Sequence, residues 1–500
     1  MRQYETYELK FKGAAPEGSQ AVIGLEAAFT VGGETTRVKG FYAGDETYAV
    51  RFYPKKAGQY TWKVTGIVEA EGEETCDAAV YPGMVKAEDT HFVYEDGTLF
   101  YPFGTTVYAL AHQSREIVEQ TFASLEQSPF NKVRHCIFPK HYSYNHNDPE
   151  LYPFEKKEDG SWDVHRPCFA YWNYMESIIN RLGRMGIESD LILFHPYDKW
   201  GFAVMSMEEN LVYLDYLLRR LSAFPYIWWS LANEYDVVFA RTLEDWYTIE
   251  DFVASNDPYH HLLSNHNCMK FYDFSRSDIT HCSIQTPAMH LTGAMMERYG
   301  KPVVFDECEY EGDIEHNWGN ISAFEMVNRF WKGCVAGGYA THGETFYSED
   351  EVLWWAKGGV LKGESPRRIA FLRDIISELP GALKPWQEPI YEDFENEPPG
   401  GGFEKFMALQ ASLTEEERVN LQWKDAQFAG CIGDEVFLKY LGTQCCRVNA
   451  IRLPKEHTYK VEVIDVWEMT RETVYKEVSG KAMLTLPGKA GIAILAIRIR

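Results

Sequence analysis

Between about residue 92 and residue 379 the chain alternates eight times between a short apolar run and a longer amphipathic stretch, and this rhythm restricts the fold more than anything else in the sequence. The apolar runs fall at 99–105, 132–138, 189–195, 227–234, 261–267, 279–285, 302–307 and 338–344. Between and after them, residues 114–127, 169–185, 207–223, 243–254, 288–299, 322–335 and 366–379 repeat their apolar positions at helical spacing. Strand and helix in strict alternation give parallel strands joined by crossover helices, because a parallel neighbour needs a connection long enough to return to the same end of the sheet. Eight such units in about 290 residues predict a (β/α)8 barrel, which takes about 250 residues before insertions. The link between the fifth and sixth runs is short and only weakly helical. A doubly wound open sheet is the alternative; it would carry a glycine-rich nucleotide turn after its first strand, where this chain reads Phe103-Gly-Thr-Thr106.

At 500 residues the chain exceeds what one hydrophobic core fills, so further domains are expected on either side. Residues 1–88 hold short alternating runs at 21–29, 36–42, 48–53 and 60–68, separated by Gly, Pro and charged turns, which predicts an antiparallel β-sandwich. The barrel is assigned to 89–385. A linker, Glu395-Asn-Glu-Pro-Pro-Gly-Gly-Gly402, then leads into a second sandwich within 386–500, with strands at 434–440, 459–466, 473–477, 482–486 and 491–500. The fold class is therefore α/β, a TIM barrel flanked by two antiparallel sandwiches. Ahead of the second barrel helix, 141–167 is rich in Tyr, Asn, Asp and Pro and reads as a structureless loop serving as a lid.

Charge narrows the partners. With 49 basic against 74 acidic side chains the net charge is -25, which repels phosphate backbones and anionic membranes and favours a neutral substrate. The N-terminus alternates like a strand without an apolar signal core, no stretch of 18 apolar residues follows, and the ten cysteines form no CxxC pair or framework. These features predict free thiols and a cytoplasmic location, with no cofactor, no nucleic acid, no membrane and an open question of homo-oligomerisation.

In a parallel barrel the site forms at the C-terminal ends of the strands. Two strands end in carboxylates: the fourth reads Tyr226-Ile-Trp-Trp-Ser-Leu-Ala-Asn-Glu234 and the seventh Lys301-Pro-Val-Val-Phe-Asp-Glu307. A glycosidic bond cleaved through a covalent intermediate requires two such groups, one to attack and one to protonate the leaving oxygen. Asn233 and Glu234 are neighbours, so both reach one site only where the backbone departs from a regular strand. For the seventh strand, Asp306, Glu309 and Glu311 compete with Glu307; alternation sets Val303, Phe305 and Glu307 on one face and Asp306 on the other.

On these residues the chain resembles clan A of the retaining glycoside hydrolases. The resemblance implies that Glu234 is the acid/base, that Glu307 is the nucleophile, and that Arg134, in Asn131-Lys-Val-Arg134, is the strand-two arginine beside the nucleophile; a structural pairing of Arg134 with Asp306 is the alternative. Within the clan, Pro102-Phe-Gly-Thr-Thr106 and the sandwich motifs Val38-Lys-Gly-Phe-Tyr-Ala-Gly44 and Tyr48-Ala-Val-Arg-Phe-Tyr-Pro54 resemble the bacterial sandwich–barrel–sandwich group related to apiosidase-like enzymes. Other strand ends offer substrate-binding candidates: Asn233, Tyr108, His135, His195, Trp200, Gln285, His342 and Glu344, with His112, His141 and Tyr197 behind them. The clan commonly sets an aromatic at the end of strand eight and a tyrosine near the end of strand six. This chain has His342-Gly-Glu344 and Gln285 there, leaving Trp318 or Trp354 to provide the sugar platform from a loop. The resulting expectation is a retaining, exo-acting hydrolase of small glycosides or oligosaccharides. The rivals are a non-catalytic carbohydrate-binding barrel and a metal-dependent barrel hydrolase; the first strand lacks the HxH pair that the latter needs, so no metal is expected.

Overall fold

The computed structural model describes residues 1–388, 402–417 and 428–500, so most of the expected linker 395–402 lies outside the described residues. Eight parallel strands form the central sheet: β1 (Gly104–Thr106), β2 (Lys132–Cys136), β3 (Glu188–Phe194), β4 (Ile227–Ala232), β5 (Leu263–Ser264), β6 (Cys282–Gln285), β7 (Val303–Glu307) and β8 (Tyr339–His342). Their order is β5-β4-β3-β2-β1-β8-β7-β6, and the Thr280 amide donates to the Leu263 carbonyl (2.9 Å) across the remaining gap, nearly closing a TIM barrel. Antiparallel sandwich domains flank it in sequence.

Helices follow the strands where the sequence supplies start signals: α1 (Arg115–Glu126), α2 (Phe169–Arg184), α3 (Met207–Leu221), α4 (Leu243–Asn256), α5 (Leu291–Tyr299), α6 (Ala323–Val335) and α7 (Ser365–Ser377). Ser206 with Glu209 and Thr242 with Asp245 form reciprocal capping boxes, satisfying amides that would otherwise be orphaned at the starts of α3 and α4. Gly300, at φ 62°, ends α5 in the left-handed conformation that glycine adopts without penalty.

Two expectations needed correction. Residues 99–105 are not one barrel strand: Leu99–Phe100 pairs antiparallel with His91–Tyr94 in a separate three-stranded sheet, and the barrel strand begins only at Gly104. Pro102, between the two pieces, has no N–H to give a ladder. The insertion 141–167 is also not structureless. It contains an antiparallel hairpin, Phe154–Lys156 with Trp162–Pro167, held by the Trp162 ring stacked on Phe202 (4.9 Å) and the Trp162 indole N–H donated to the Trp200 carbonyl (2.8 Å).

The chain divides into two compact units. The first contains residues 1–285, 301–321 and 341–363. Its N-terminal sandwich sets Leu25, Ala27 and Phe29 on one face of a strand, and these join Val50, Phe52 and Val64 in a closed apolar core. Arg51 leaves that sandwich to pair with Glu176 of α2 (2.6 Å), and the Tyr53 amide donates to the Tyr259 hydroxyl (2.9 Å). The second unit contains 286–300, 322–340 and 364–500. Its main sheet runs Lys384–Pro385, Phe428–Ile432, Val436–Tyr440, Ile492–Arg498, Tyr459–Asp465, Thr470–Val478. Helix α6 rests on this sheet: Trp331 lies 5.5 Å from Tyr440, whose hydroxyl donates to Asn328 (3.0 Å). Gly430 permits the approach, since a Cβ there would stand 2.1 Å from the Val335 carbonyl oxygen. All ten cysteines are free, and no helix among the described residues is long and apolar enough to cross a membrane.

Candidate active site

The inside of the barrel is ionic just below the rim. Lys132 on β2 reaches Asp190 on β3 (2.8 Å) and Asp306 on β7 (2.6 Å), and all three are buried. Ser283 and Thr341 also donate to Asp306 (2.6 and 3.0 Å). Burial alone would raise the Asp306 carboxyl, but Lys132 and Arg134 overcome it and hold the group well below the usual carboxylate range. Buried cations and anions in this ratio form a rigid floor, because moving either partner would strand a charge.

Above that floor β4 ends at Ala232, and Glu234 takes φ 55° and ψ 57°. A left-handed non-glycine residue costs about 1–3 kcal/mol and persists only where its surroundings hold it. Here the Asn233 amide donates to the Phe194 carbonyl (2.9 Å) and the Tyr235 amide to the His266 carbonyl (2.9 Å). The irregularity is the one required for Asn233 and Glu234 to serve one site. Asn233 Oδ1 accepts from the Tyr108 hydroxyl (2.9 Å), and Glu234 Oε2 accepts from the Tyr197 hydroxyl.

Glu307 closes β7 with Oε1 against the same Tyr108 hydroxyl, whose single proton lies between it and Asn233 Oδ1, while Arg134 Nη1 stands 3.8 Å from that Oε1. Arg134 therefore stands near both carboxyls: its Nε also lies 3.8 Å from Asp306 and 3.5 Å from Asp190. Simple alternation had separated Asp306 from Glu307, yet Arg134 meets both. The ladder with β6 explains this, since Ile284 opposes Phe305 and Gln285 opposes Glu307, leaving Asp306 as the extra residue of a bulge. Glu309 lies beyond the strand with φ 66°.

The charge of Glu307 is felt at Glu234. Burial, and next the charge of Glu307, push the Glu234 carboxyl up to about 7 despite the opposing effects of Lys140, Tyr197 and Gln285. Lys140 is buried among rings, its Nζ 3.5 Å from the Tyr108 centroid, 4.3 Å from Tyr197 and 5.2 Å from Trp355. Burial lowers its ammonium although Cys136 and both glutamates favour the charge. Tyr310, three residues past Glu307, has its phenol raised by burial and by the Glu307 charge. Trp355 completes the wall, 5.9 Å from Tyr108 and 5.7 Å from Tyr310, with Tyr144 and Trp318 against the same cluster.

Of the residues singled out from sequence, the structure brings together Glu234, Glu307, Asn233, Arg134, Tyr108, Tyr197 and Gln285. Trp318 borders them, and Trp200 lies on the insertion side, donating to Asp148 (3.1 Å) and edge-on to His141. The buried histidines take other positions. His135 has the opposite parity from Lys132 and Arg134 and lies near His112, whose Nε2 is 3.1 Å from the Ile137 carbonyl. His195 Nε2 is 3.1 Å from the Phe138 carbonyl, and His342 bonds Thr105 (3.0 Å). Glu344 accepts from the Lys362 and Gly363 amides (2.6 and 2.9 Å). Trp354 is no platform: its indole donates to Thr105 (2.8 Å) inside the fold, and its neighbour Trp355 faces the site. Sequence reasoning missed Lys140, Tyr142, Tyr310 and Trp355. Lys140 closes the run Cys136-Ile-Phe-Pro-Lys140 at the end of strand two, a position that could have flagged it.

A near-closed parallel barrel with one glutamate after strand four and another closing strand seven defines a clan A glycoside hydrolase. The model of the apiosidase-like catalytic domain matches residues 86–396, and two domains of unknown function, DUF5060 and DUF5605, match residues 1–66 and 423–500. The chain belongs to this apiosidase-like family. A solved structure of a candidate glycoside hydrolase from Bacteroides vulgatus ATCC 8482 is 33% identical, with a TM-score of 0.87 over 100% of this chain and 99% of that one. A family 5 glycoside hydrolase from the same organism shares the fold at 14% identity, with a TM-score of 0.59 over 83% of this chain and 94% of its own. No curated protein sequence matches the chain.

Proposed function

We propose that the protein hydrolyses small glycosides or oligosaccharides with retention, Glu307 acting as nucleophile and Glu234 as acid/base. The observation that carries this reading is the contrast between the two carboxyls: Glu234 is pushed up to about 7 by burial and by Glu307, whereas Glu307 faces a guanidinium and a phenol. In the first step Glu307 Oε attacks the anomeric carbon while Glu234 gives its proton to the departing glycosidic oxygen. Forming the ester removes the charge of Glu307, so Glu234 becomes more acidic. It then takes a proton from water as that water attacks the anomeric carbon and releases Glu307. Asn233 and Lys140 would meet sugar hydroxyls, and Trp355, rather than a strand-eight residue, would be the platform.

Exo action is supported by the insertion, whose Tyr142 ring lies 4.4 Å from Tyr197 and 6.1 Å from Trp355, closing one side of the site. The ten free thiols suit a reducing, cytoplasmic setting. Apiosides lead a substrate panel of aryl pentosides, hexosides and uronides, given the family description. The decisive experiment incubates the protein with the 2-fluoro analogue of the preferred glycoside and maps the adduct by mass spectrometry. A stable adduct on the Glu307 peptide is expected. First-formed product of inverted configuration by NMR would overturn the mechanism.

A further inference from the structure

Past the strand-seven and strand-eight ends, the short segments Glu311–Gly312 and Glu344–Thr345 run parallel with Glu311 opposite Glu344. Together with His342 these glutamates offer three ligand atoms within 4.8 Å of one another, and the three residues are 2%, 0% and 1% exposed for Glu311, His342 and Glu344. Gly363 covers them so closely that a Cβ would stand 2.6 Å from Oε2 of both glutamates. The cluster is separate from Glu234 and Glu307, and the proposed mechanism makes no use of it.

The imidazole shows what the cluster is shaped for. His342 stacks on Phe130 (4.7 Å between centroids), and its Nδ1 is 3.0 Å from Thr105 Oγ1, an oxygen that already accepts from Trp354. With the proton on Nδ1 donated to Thr105, the Nε2 lone pair faces the glutamates. Nε2 has no hydrogen-bond partner among the described residues, and Glu344 Oε2, at 3.9 Å, is too far for one. A buried ring oriented through its other nitrogen, with its lone pair aimed at two carboxylates, has the second-shell arrangement of a metal-ligating histidine. Zinc holds nitrogen and oxygen at about 2.0–2.2 Å, which sets tetrahedral ligands about 3.4 Å apart, so the side chains need shift by no more than about 1 Å.

We propose that Glu311, His342 and Glu344 bind one divalent transition-metal cation, zinc or manganese, as a structural site. The ion ties the Glu311–Gly312 segment to the end of β8. It thereby fixes Tyr310, the residue before Glu311, whose ring lies so close to Gly343 that a Cβ there would stand 2.2 Å from Cδ1. Such an ion acts on the stability and placement of the wall beside Glu307 and takes no part in bond cleavage, so the proposal stands or falls independently of the retaining mechanism.

The test uses the full chain with Cys445→Ser and Cys446→Ser to remove neighbouring thiols, one of them exposed. After dialysis against EDTA, zinc chloride and, separately, manganese chloride are titrated by calorimetry, with the metal counted by mass spectrometry after gel filtration. One ion per chain and a higher Tm in the loaded protein are expected. His342→Gln and Glu311→Gln, checked for fold by circular dichroism, should each weaken binding at least about 100-fold. Should one variant fail to fold, the other and the wild-type stoichiometry decide. Absence of stoichiometric binding of either metal to the folded chain overturns the proposal, as does binding unchanged in the variants.

Discussion

Glu234→Gln replaces the protonated carboxyl with a neutral group of the same shape, so it isolates the consequences of ionising Glu234. The residue is 5% exposed, and burial together with the charge of Glu307 lifts it from 4.5 to about 7. At 1.36 kcal/mol per pH unit, ionising Glu234 is about 3.4 kcal/mol less favourable in the folded chain than in the unfolded one. Because the folded value is the higher, the protonated carboxyl's contribution to stability is fully present below pH about 4.5 and is lost as the pH rises from there through about 7. The amide has no proton to lose. The variant should match the wild type near pH 4.5 and exceed it by up to about 3.4 kcal/mol above pH 7. Spread over an unfolding entropy of about 2.1 cal/mol/K per residue, that is about 3 °C in Tm if the chain melts as one unit. Scanning fluorimetry of both proteins from pH about 5 to about 8 reads it directly. In activity, hydrolysis of a glycoside with a poor leaving group should fall by about 10²–10⁴, and the alkaline limb of kcat/KM, near pH 7 in the wild type, should disappear. A Tm difference constant across pH, or an alkaline limb that survives the substitution, would refute the reasoning.

Tyr108→Phe removes the hydroxyl shared by Asn233 and Glu307; a bond to a charged group is worth about 1.5–3 kcal/mol, so kcat should fall about ten- to a hundredfold in steady-state assays, with circular dichroism unchanged. Lys140→Met withdraws a positive charge that lowers Glu234, so the alkaline limb of kcat/KM should move above pH 7. Lys132→Met leaves Asp190 and Asp306 buried beside Arg134 alone and should destabilise the chain by about 3–5 kcal/mol in chemical denaturation.

The barrel was legible in the sequence because every parallel strand buries both faces and so writes a compact apolar run, while each helix must cover it and so writes its own period. The two glutamates were legible for a related reason: each closes a largely apolar run, Glu234 after β4 and Glu307 at the end of β7. The first strand was misjudged because Leu99, Phe100 and Gly104 read as one run, although Pro102 breaks the ladder between them. Parity failed at Asp306 since a bulge is a property of the pairing, and the pairing partner, Gln285, is distant in sequence. Lys140, Tyr142 and Tyr310 come from loops after strands two and seven, and Trp355 from the single helical turn Trp354–Lys357 after strand eight; segments this short carry no periodic signal that would gather them. The strand-end histidines, conversely, were credited to the site on position alone, whereas His195 bonds a carbonyl and His342 a threonine within the fold.

Helix α6, which links strands seven and eight, rests Trp331 and Asn328 on the C-terminal sheet, and the contact at Gly430 is too close for any side chain. An expression clone ending near residue 385 would therefore not release a minimal catalytic barrel; it would take away the ring packed on the Trp331 indole and the hydroxyl bonded to the Asn328 amide. For anyone shortening this gene, the last seventy residues are to be treated as part of the helix layer, and the safer place to cut or insert a tag is elsewhere on the chain.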